Sequence, residues 1–258
     1  MKIQFFKYQG TGNDFVMIDD RKAQFDIHAQ ALIERLCHRR FGIGADGLIL
    51  LRNHLDYDFE MVYFNSDGRQ TSMCGNGGRC IVKFAHQLGV FKDKTTFLAI
   101  DGVHDAYLKN GLVHLKMNDV ADIEAGKDYH YMNTGSPHYV KEVKEIEKAP
   151  LISIAHEIRY GKRFAEKGVN VNLIEEIGEN TIYVRTYERG VEDETYSCGT
   201  GVTAACIAVH LTKGMKSPVQ VKTKGGNLSV SFEKEANTFK NVFLVGAAEY
   251  VFEGFVEI

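Results

Sequence analysis

The sequence lacks the features that mark several large classes of protein. Its 258 residues carry a formal net charge of −3 and no basic patch with interleaved aromatic residues, so nucleic-acid binding has little support. No apolar run approaches the roughly 20 residues of a membrane span. The apolar run within residues 1–8 is too short and too interrupted for a signal peptide. We therefore expect a cytoplasmic protein that binds neither nucleic acid nor a membrane.

Patterns typical of zinc sites and of disulfide frameworks are absent as well. The chain has five cysteines, an odd number, and no Cys-x-x-Cys pair. It also has no His-Glu-x-x-His. We therefore expect no metal site and no disulfide framework, which fits a reducing compartment.

The composition is otherwise that of an ordinary globular protein, with 44% hydrophobic and 25% charged residues. A chain of this length buries a sizeable core without disulfide bonds. It forms either one large domain or two smaller ones.

One motif occurs twice, and the rest of the chain is organised around it. Cys-Gly-Asn-Gly at residues 74–77 precedes an apolar-periodic stretch at 81–88, and Cys-Gly-Thr-Gly at 198–201 precedes another at 202–209. In each stretch the apolar residues recur on one helical face. The copies lie 124 residues apart (198 − 74), close to half the chain. We therefore predict two similar lobes, each presenting a cysteine at a helix N-terminus.

A cysteine in that position is suited to acid–base chemistry. The first turn of a helix has unpaired N–H groups and a partial positive charge, which lowers a thiol pKa from about 8.5 into a range of roughly 3.5–7.5. The glycines allow a tight turn and bring N–H groups close to an anion. Two such thiols on opposite sides of one carbon would be suited to inverting it by proton removal and return.

The other three cysteines have a different setting. Cys37, Cys80 and Cys206 lie on the apolar faces of predicted helices. We interpret them as small buried hydrophobic residues.

The remaining patterns predict a mixed α+β chain in which strands outnumber helices. A helix capped by Asp26 is expected over residues 27–40 and ends at Gly42, and a second is expected over residues 149–160. Strands are predicted over residues 2–8, 15–19, 48–51, 57–64, 95–100, 105–108, 112–117, 129–133, 139–143, 169–174, 181–187, 219–223, 228–232, 242–245 and 251–256. We predict two pseudo-symmetric lobes, residues 1–120 and 121–258, each a mixed or antiparallel sheet wrapped around a central helix. The last strand is a candidate to pair with the first lobe.

A Gly-x-Gly-x-x-Gly pattern at residues 42–47 does not indicate a nucleotide site. It follows a predicted helix and precedes a predicted strand, which is the reverse of the dinucleotide-binding order. We interpret it as a turn-rich loop.

Several sequence blocks follow a pattern found in one known family. They are Phe-Lys-Tyr-Gln-Gly-Thr-Gly-Asn-Asp-Phe at residues 6–15, Met-Cys-Gly-Asn-Gly-Gly-Arg-Cys at 73–80, and Glu-Arg-Gly at 188–190 followed by Ser-Cys-Gly-Thr-Gly at 197–201. Shorter matches are Ser-Pro-His at 136–138, Gly-Val-Asn-Val at 168–171 and Val-Gly-Ala-Ala at 245–248. These blocks span nearly the whole chain in order, and together they resemble the diaminopimelate epimerase family with high specificity.

The resemblance implies an enzyme that interconverts L,L- and meso-diaminopimelate in lysine biosynthesis. It implies no pyridoxal phosphate or other cofactor, an active site between the lobes, and a homodimer. Cys74 and Cys198 would be the two acid–base thiols, and His138 and Glu188 would lie near the reacting centre. The implied substrate-binding residues are Asn13, Asn65, Gly75, Asn76, Asn170, Glu188, Arg189, Gly199 and Thr200.

Two positions depart from the family pattern. Many members have Gln where this chain has Gly47, and Asn where it has Ser136. Glycine offers no side-chain hydrogen bond and serine a shorter one, so recognition of the far end of the substrate is expected to differ.

Three alternative functions share some of these sequence features. A sister two-cysteine racemase, such as a proline racemase, would use the same thiol chemistry on another substrate. A thiol redox protein would need a resolving Cys-x-x-Cys, which is absent. Nucleotide binding is suggested by Gly-x-Gly-x-x-Ala at residues 199–204, but the expected ribose-binding carboxylate is not evident.

Overall fold

The computed structural model describes residues 2–258, so Met1, the first residue of the predicted N-terminal lobe, lies outside the described part. The chain forms two compact units. The first comprises Met1–Leu115 together with Gly246–Ile258, and the second comprises Lys116–Val245. Each unit combines a mixed sheet with two helices. The predicted α+β class is therefore confirmed.

The elements follow one another in this order. The first are β1 (Lys2–Gly10), β2 (Asn13–Asp19), α1 (Gln30–Cys37), β3 (Gly47–Arg52), β4 (Phe59–Asn65), α2 (Gly75–Gln87), β5 (Lys94–Ala99), β6 (Gly102–Lys109) and β7 (Leu112–Lys116). Next come β8 (Glu124–Ala125), β9 (His130–Asn133), β10 (Pro137–Glu142), α3 (Leu151–Arg159), β11 (Asn170–Gly178), β12 (Thr181–Glu188) and β13 (Asp193–Thr195). The last are α4 (Gly199–Lys213), β14 (Val219–Thr223), β15 (Gly226–Glu235), β16 (Thr238–Gly246) and β17 (Glu249–Glu257).

The sheet of the first unit is wrapped around α2. Its pairing order is β17-β1-β2-β3-β4-β5-β6-β7, with β2–β3 and β4–β5 parallel and the other pairs antiparallel. Helix α1 connects one parallel pair and α2 the other, as parallel pairing requires a crossover. Helix α2 contacts β1, β2, β3 and β6.

The second unit repeats this construction around α4. Strands β9, β10, β11, β12, β14 and β15 pair in that order, with β10–β11 and β12–β14 parallel and the other pairs antiparallel. Helix α3 connects the first parallel pair, and α4 lies between β12 and β14 along the chain. Helix α4 contacts β9, β10, β11, β12, β14 and β15.

The two central helices are buried for a sequence reason. In α4 every residue from 201 to 209 is buried, because this stretch is almost entirely small or apolar and has no polar face to expose. In α2 the residues from 75 to 82 are all buried, and they include four glycines or small polar residues that let strands pass closely. The first turns of both helices therefore lie inside their units.

Helix α1 is shorter than predicted. It spans Gln30–Cys37 with Ala29 as its N-cap residue, so the predictions of Asp26 as the cap and of an end at Gly42 were wrong. The Asp26 carboxylate accepts a hydrogen bond from His28 N at 2.9 Å. It therefore closes a local turn before the helix begins.

Two short strands, β8 and β13, were not predicted from the sequence. Each consists of two or three residues that pair with a longer neighbour, and such short segments carry no periodic pattern of their own. Among residues 2–258, no helix combines the length and the apolar character needed to cross a membrane.

Candidate active site

The first cysteine lies where the sequence predicts, at the start of a buried helix. Cys74 is the N-cap residue of α2, with extended backbone angles of φ −104° and ψ 150°. Its Sγ accepts a hydrogen bond from Gly77 N at 3.2 Å. The thiol therefore satisfies one of the unpaired N–H groups of the first turn and receives that group's partial positive charge.

The glycines around Cys74 allow close packing. A Cβ at Gly77 would lie 3.2 Å from Cys74 Sγ and 3.2 Å from Ile49 Cδ1. A Cβ at Gly10 would lie 3.1 Å from Asn76 O and 3.2 Å from Cys80 Sγ. Small residues at these positions thus let the end of β1 approach the first turn of α2.

Arg79 is a fully buried arginine that lies one turn after Gly75 in α2. Its guanidinium donates to Gly75 O at 3.0 Å, to Ala247 O at 3.3 Å, to Thr11 Oγ1 at 2.9 Å and to Asn76 Oδ1 at 3.1 Å. Burial lowers its pKa, and negative charge on the Cys80 and Cys74 thiols acts in the opposite direction.

Two of the predicted substrate-binding residues are brought together beside α2. Asn76 Nδ2 donates to Asn13 Oδ1 at 3.3 Å, and Asn13 Nδ2 in turn donates to the Asp46 carboxylate. The loop of residues 42–47 therefore holds the β1–β2 turn through Asp46.

Arg39 joins the same loop to β2. Its guanidinium donates to both oxygens of the Asp14 carboxylate, at 2.6 and 3.0 Å, and to Asp46 at 2.7 Å. Lys7, which is buried, pairs with Asp14 at 2.7 Å. These bonds hold the pKa of Asp14 well below its usual range despite its burial.

The sheet places Asn65 opposite Gly47, at the end of the β3–β4 pair. Asn65 is exposed, while Gly47 is buried. A Cβ at Gly47 would lie 2.5 Å from Phe64 O and 2.6 Å from Tyr63 Cε2. The Tyr63 ring therefore occupies the space that a side chain at position 47 would need, which explains why this chain tolerates no glutamine there without movement.

The second cysteine also begins a helix. Cys198 is the N-cap residue of α4, with φ −124° and ψ 112°, and its predicted position is confirmed. Its Sγ lies 3.4 Å from Thr200 Oγ1. The side chain is 8% exposed, so the thiol lies almost entirely inside the protein.

His138 is held in one tautomer behind this first turn. Asn172 Nδ2 lies 3.0 Å from His138 Nδ1 and also donates to Tyr139 O at 3.2 Å. A carbonyl oxygen can only accept, so the Asn172 amide nitrogen faces the ring and His138 Nδ1 is an acceptor. Thr186 Oγ1 confirms this orientation by donating to Asn172 Oδ1 at 2.9 Å.

The proton of the neutral His138 ring consequently lies on Nε2. That nitrogen is 2.8 Å from Thr200 Oγ1, so His138 donates to the hydroxyl, which is itself beside Cys198 Sγ. Complete burial lowers the pKa of His138 to about 3, assisted by the charge of Arg189, although the Asn172 bond acts the other way. His138 is therefore a neutral donor in this site and not a cation.

The loop after β12 carries the other predicted residues of the second unit. Arg189 N donates to Asn170 Oδ1 at 2.8 Å, and Asn170 Nδ2 donates to Ser136 Oγ at 3.0 Å. Ser136 thus contacts the site through Asn170. Burial raises the pKa of Glu188, which favours its protonated form.

The structure also contains polar residues that sequence reasoning did not assign to the site. They are Arg79, Asp46, Asn172 and Thr186. Arg79 stands inside the recognised block at residues 73–80 and Asn172 directly follows the block at 168–171, so proximity to those blocks was the available signal. Among residues 2–258, no group of three or more His, Cys, Asp or Glu side chains is arranged to hold a metal ion.

Comparisons with a family model and with curated proteins match nearly the whole sequence to one family. The family model described as diaminopimelate epimerase matches residues 5–118 and 130–251. A curated diaminopimelate epimerase of Flavobacterium psychrophilum is 49% identical over 97% of this chain and 99% of its own length. One of Aquifex aeolicus is 40% identical over 98% of this chain and 97% of its own length.

Solved structures with the same fold are more distant in sequence. A Bacillus anthracis protein of the PhzF phenazine biosynthesis family has a TM-score of 0.78 and 16% identity, with both chains fully covered. A hydroxyproline epimerase of Agrobacterium vitis has a TM-score of 0.67 and 14% identity, covering 99% of this chain and 92% of its own. These two likenesses concern the fold alone.

Proposed function

Because this chain belongs to the diaminopimelate epimerase family, we propose that Cys74 and Cys198 are the two acid–base thiols of its reaction. The reaction is the interconversion of L,L- and meso-diaminopimelate, an isomerisation in lysine biosynthesis. The observation that carries the proposal is the presence of each thiol as the N-cap residue of a buried helix. Their setting favours the thiolate form that proton abstraction requires.

In the proposed mechanism one cysteine begins as a thiolate and the other as a thiol. The thiolate removes the α-proton, and the thiol returns a proton to the opposite face of the carbon. The two roles exchange for the reverse direction. No oxidation or net proton change occurs, and the chemistry requires no cofactor and no metal.

The main difficulty of this reaction is the weak acidity of the α-proton. Removal becomes possible when the charge that develops toward the carboxylate is stabilised by fixed donors. The N–H groups of residues 75–76 and 199–200, in the first turns of α2 and α4, are such donors. Gly75, Asn76, Gly199 and Thr200 are therefore assigned to the reacting carboxylate.

The other substrate groups are assigned to polar residues of the two units. Asn13, Asn65 and Asn170 would bind polar substrate groups, and Glu188 and Arg189 would bind its charged groups. His138 would act near the reacting centre by donating to Thr200, next to Cys198.

We also propose a cytoplasmic homodimer. Strand β17 pairs with β1 and leaves Tyr250, Val251, Phe252 and Phe255 between 44% and 62% exposed. Apolar side chains concentrated on one strand favour burial against a second copy. Light scattering after size-exclusion chromatography tests this, and a mass of one chain at working concentration would contradict it.

The function is tested by proton NMR in D₂O with L,L-diaminopimelate and no added cofactor. The wild-type protein should remove the α-proton signal and produce the meso isomer. Cys74→Ser and Cys198→Ser should each lose epimerisation by about a thousandfold or more, while Cys37→Ser, with its thiol elsewhere in the core, serves as the control. Near wild-type turnover in either active-site variant would refute the two-thiol mechanism.

A second candidate substrate is a cyclic amino acid, because the solved hydroxyproline epimerase shares the fold. The same NMR experiment with proline and trans-4-hydroxyproline distinguishes the two. Exchange with either of these, and none with diaminopimelate, would transfer the function to a sister racemase.

A further inference from the structure

Arg79 carries a buried positive charge that no carboxylate of residues 2–258 balances. The side chain is 0% exposed. All its hydrogen bonds go to neutral oxygens, namely two backbone carbonyls, one hydroxyl and one amide. Its site is thus built to hold the guanidinium but not to neutralise it.

Three other buried or half-buried cations of this protein are paired with carboxylates. Lys7 pairs with Asp14 at 2.7 Å, Arg52 with Asp20 at 2.7 Å and Arg185 with Glu194 at 2.7 Å. An unpaired buried charge is strongly unfavourable. The unpaired guanidinium of Arg79 therefore indicates that a negative charge forms beside it during the catalytic cycle.

We infer that Arg79 is a positioning residue that stabilises the negative charge formed at the N-terminus of α2 during the reaction. This inference rests on the proposed function of Cys74. The bond from Arg79 Nη1 to Gly75 O places the guanidinium against the residue that follows the thiol. The anions expected there are the Cys74 thiolate and the substrate carboxylate.

Arg79 also fixes the direction of two side-chain amides. Arg79 Nη2 and Thr11 Oγ1 both donate to Asn76 Oδ1, at 3.1 and 3.2 Å. The Asn76 oxygen is thereby turned toward Arg79, so its Nδ2 faces Asn13 Oδ1. Asn13 Nδ2 then donates to Asp46. A single guanidinium thus sets the orientation of both asparagines that are proposed to bind substrate.

Several other ionisable groups on the elements packed against α2 already have partners or are buried thiols and phenols with raised pKa values. Burial raises the pKa of the Cys80 thiol and of the Tyr8 phenol, which donates to Gln87. Asp14 is held by Lys7 and Arg39, and Arg52 by Asp20. On the far side of Cys74, Asp101 accepts from Met73 N at 3.1 Å and lies 3.5 Å from His104.

The test measures the Cys74 thiol directly, by the pH dependence of its iodoacetamide alkylation followed by peptide mass spectrometry. In Arg79→Met and Arg79→Gln the apparent pKa of Cys74 should rise by about one unit or more, and kcat/KM should fall about a hundredfold. Arg79→Lys keeps the positive charge but removes the planar guanidinium with its several N–H donors. The thiol pKa should then stay within about half a unit of wild type while KM rises about tenfold.

Arg52→Gln is the matched control, because it removes a different buried cation from the same unit. It should leave the Cys74 alkylation profile unchanged even where it lowers the melting temperature. If the neutral Arg79 variants fold and keep the wild-type alkylation profile and kinetics, the inference is wrong. If the neutral variants do not fold, the test rests on Arg79→Lys. Wild-type kinetics in that variant, or a shifted Cys74 pKa, would overturn the inference.

Failure of this inference is distinguishable from failure of the proposed function. Alkylation of Cys74 reports the effect of Arg79 on the thiol whether or not the thiol is catalytic. Activity retained by Cys74→Ser would instead refute the role of the thiol itself.

Discussion

The two cysteine helices have the same framework but different polar surroundings. In both, the cysteine of Cys-Gly-x-Gly is the N-cap residue, and the helix lies along the chain between two strands that pair in parallel. Behind Cys74 lies the buried cation Arg79. Behind Cys198 lies the neutral ring of His138, which reaches the thiol through Thr200.

This difference shows that the backbone and the side chains contribute separately to the environment of each thiol. The helix N-terminus supplies N–H groups and partial charge in both units. The first unit adds a permanent charge, whereas the second adds a directed hydrogen bond whose tautomer is fixed by Asn172 and Thr186. The two thiols are therefore expected to respond differently to pH and to substitution.

The largest expected contrast is between the equivalent glycines of the two motifs. A Cβ at Gly201 would lie 2.3 Å from Asn172 Oδ1 and 3.3 Å from His138 Cε1, whereas a Cβ at Gly77 meets nothing closer than 3.2 Å. We expect Gly201→Ala to cost about 3 kcal/mol of unfolding free energy and Gly77→Ala about 1 kcal/mol. Urea denaturation measures both, and equal costs would contradict the contrast.

His138 of the second unit should contribute to the pH dependence of stability. Burial holds the pKa of folded His138 at about 3, against 6.5 when unfolded. As the pH falls below 6.5 the unfolded state binds the proton first, so stability is lost progressively on acidification toward pH 3. Between pH 6.5 and 5 this amounts to about 2 kcal/mol.

Urea denaturation of wild type and His138→Gln across this range measures the effect. The glutamine variant should show a slope that is smaller by the His138 contribution. Identical slopes in the two proteins would mean that His138 is protonated in the folded state.

A smaller effect is expected from removing the hydroxyl between His138 and Cys198. Thr200→Val keeps the shape of the side chain but breaks both contacts of Oγ1, so kcat should fall about tenfold, or about 1.4 kcal/mol. Thr200→Ser retains the hydroxyl and should recover most of the activity. Equal kcat values for the valine and serine variants would show that the hydroxyl plays no part.

The smallest effect is expected at two buried cysteines outside the N-cap positions, Cys37 in the first unit and Cys206 in the second. Cys37 and Cys206 are 2% and 0% exposed, and burial raises the pKa of both thiols, that of Cys37 to about 12. Replacing either by alanine should lower the unfolding free energy by about 1 kcal/mol and leave kcat/KM unchanged. A threefold or greater loss of kcat/KM in one of them would reveal an additional functional thiol.

Local sequence patterns predicted the parts of the site that depend on neighbours in sequence. The Cys-Gly-x-Gly motifs predicted both helix N-termini correctly, because glycine is typical of the tight turn that precedes a helix. Asn-Gly at residues 110–111, between two strands, is likewise a local hairpin signal, and both residues adopt positive φ, 52° and 79°.

The remaining features depend on contacts between distant residues. Asn172 lies beside His138 because the β10–β11 register pairs His138 with Asn170, and the β11–β12 register places Asn172 opposite Thr186. Arginine is rarely fully buried, so apart from its place in the block at residues 73–80 the sequence does not indicate that Arg79 is buried; its burial depends on contacts with Thr11 and Ala247. The length of α1 was overestimated because the local turn at Asp26 resembles a helix cap.

The pairing of β17 with β1 has a consequence for how the protein is made. The second unit is contiguous in sequence, so all its strands have been synthesised once residue 245 has left the ribosome. The first unit must wait for residues 246–258, although its other residues emerge earlier. Ala247, a partner of Arg79, belongs to this late segment. The surroundings of the first cysteine are therefore completed last, after those of the second.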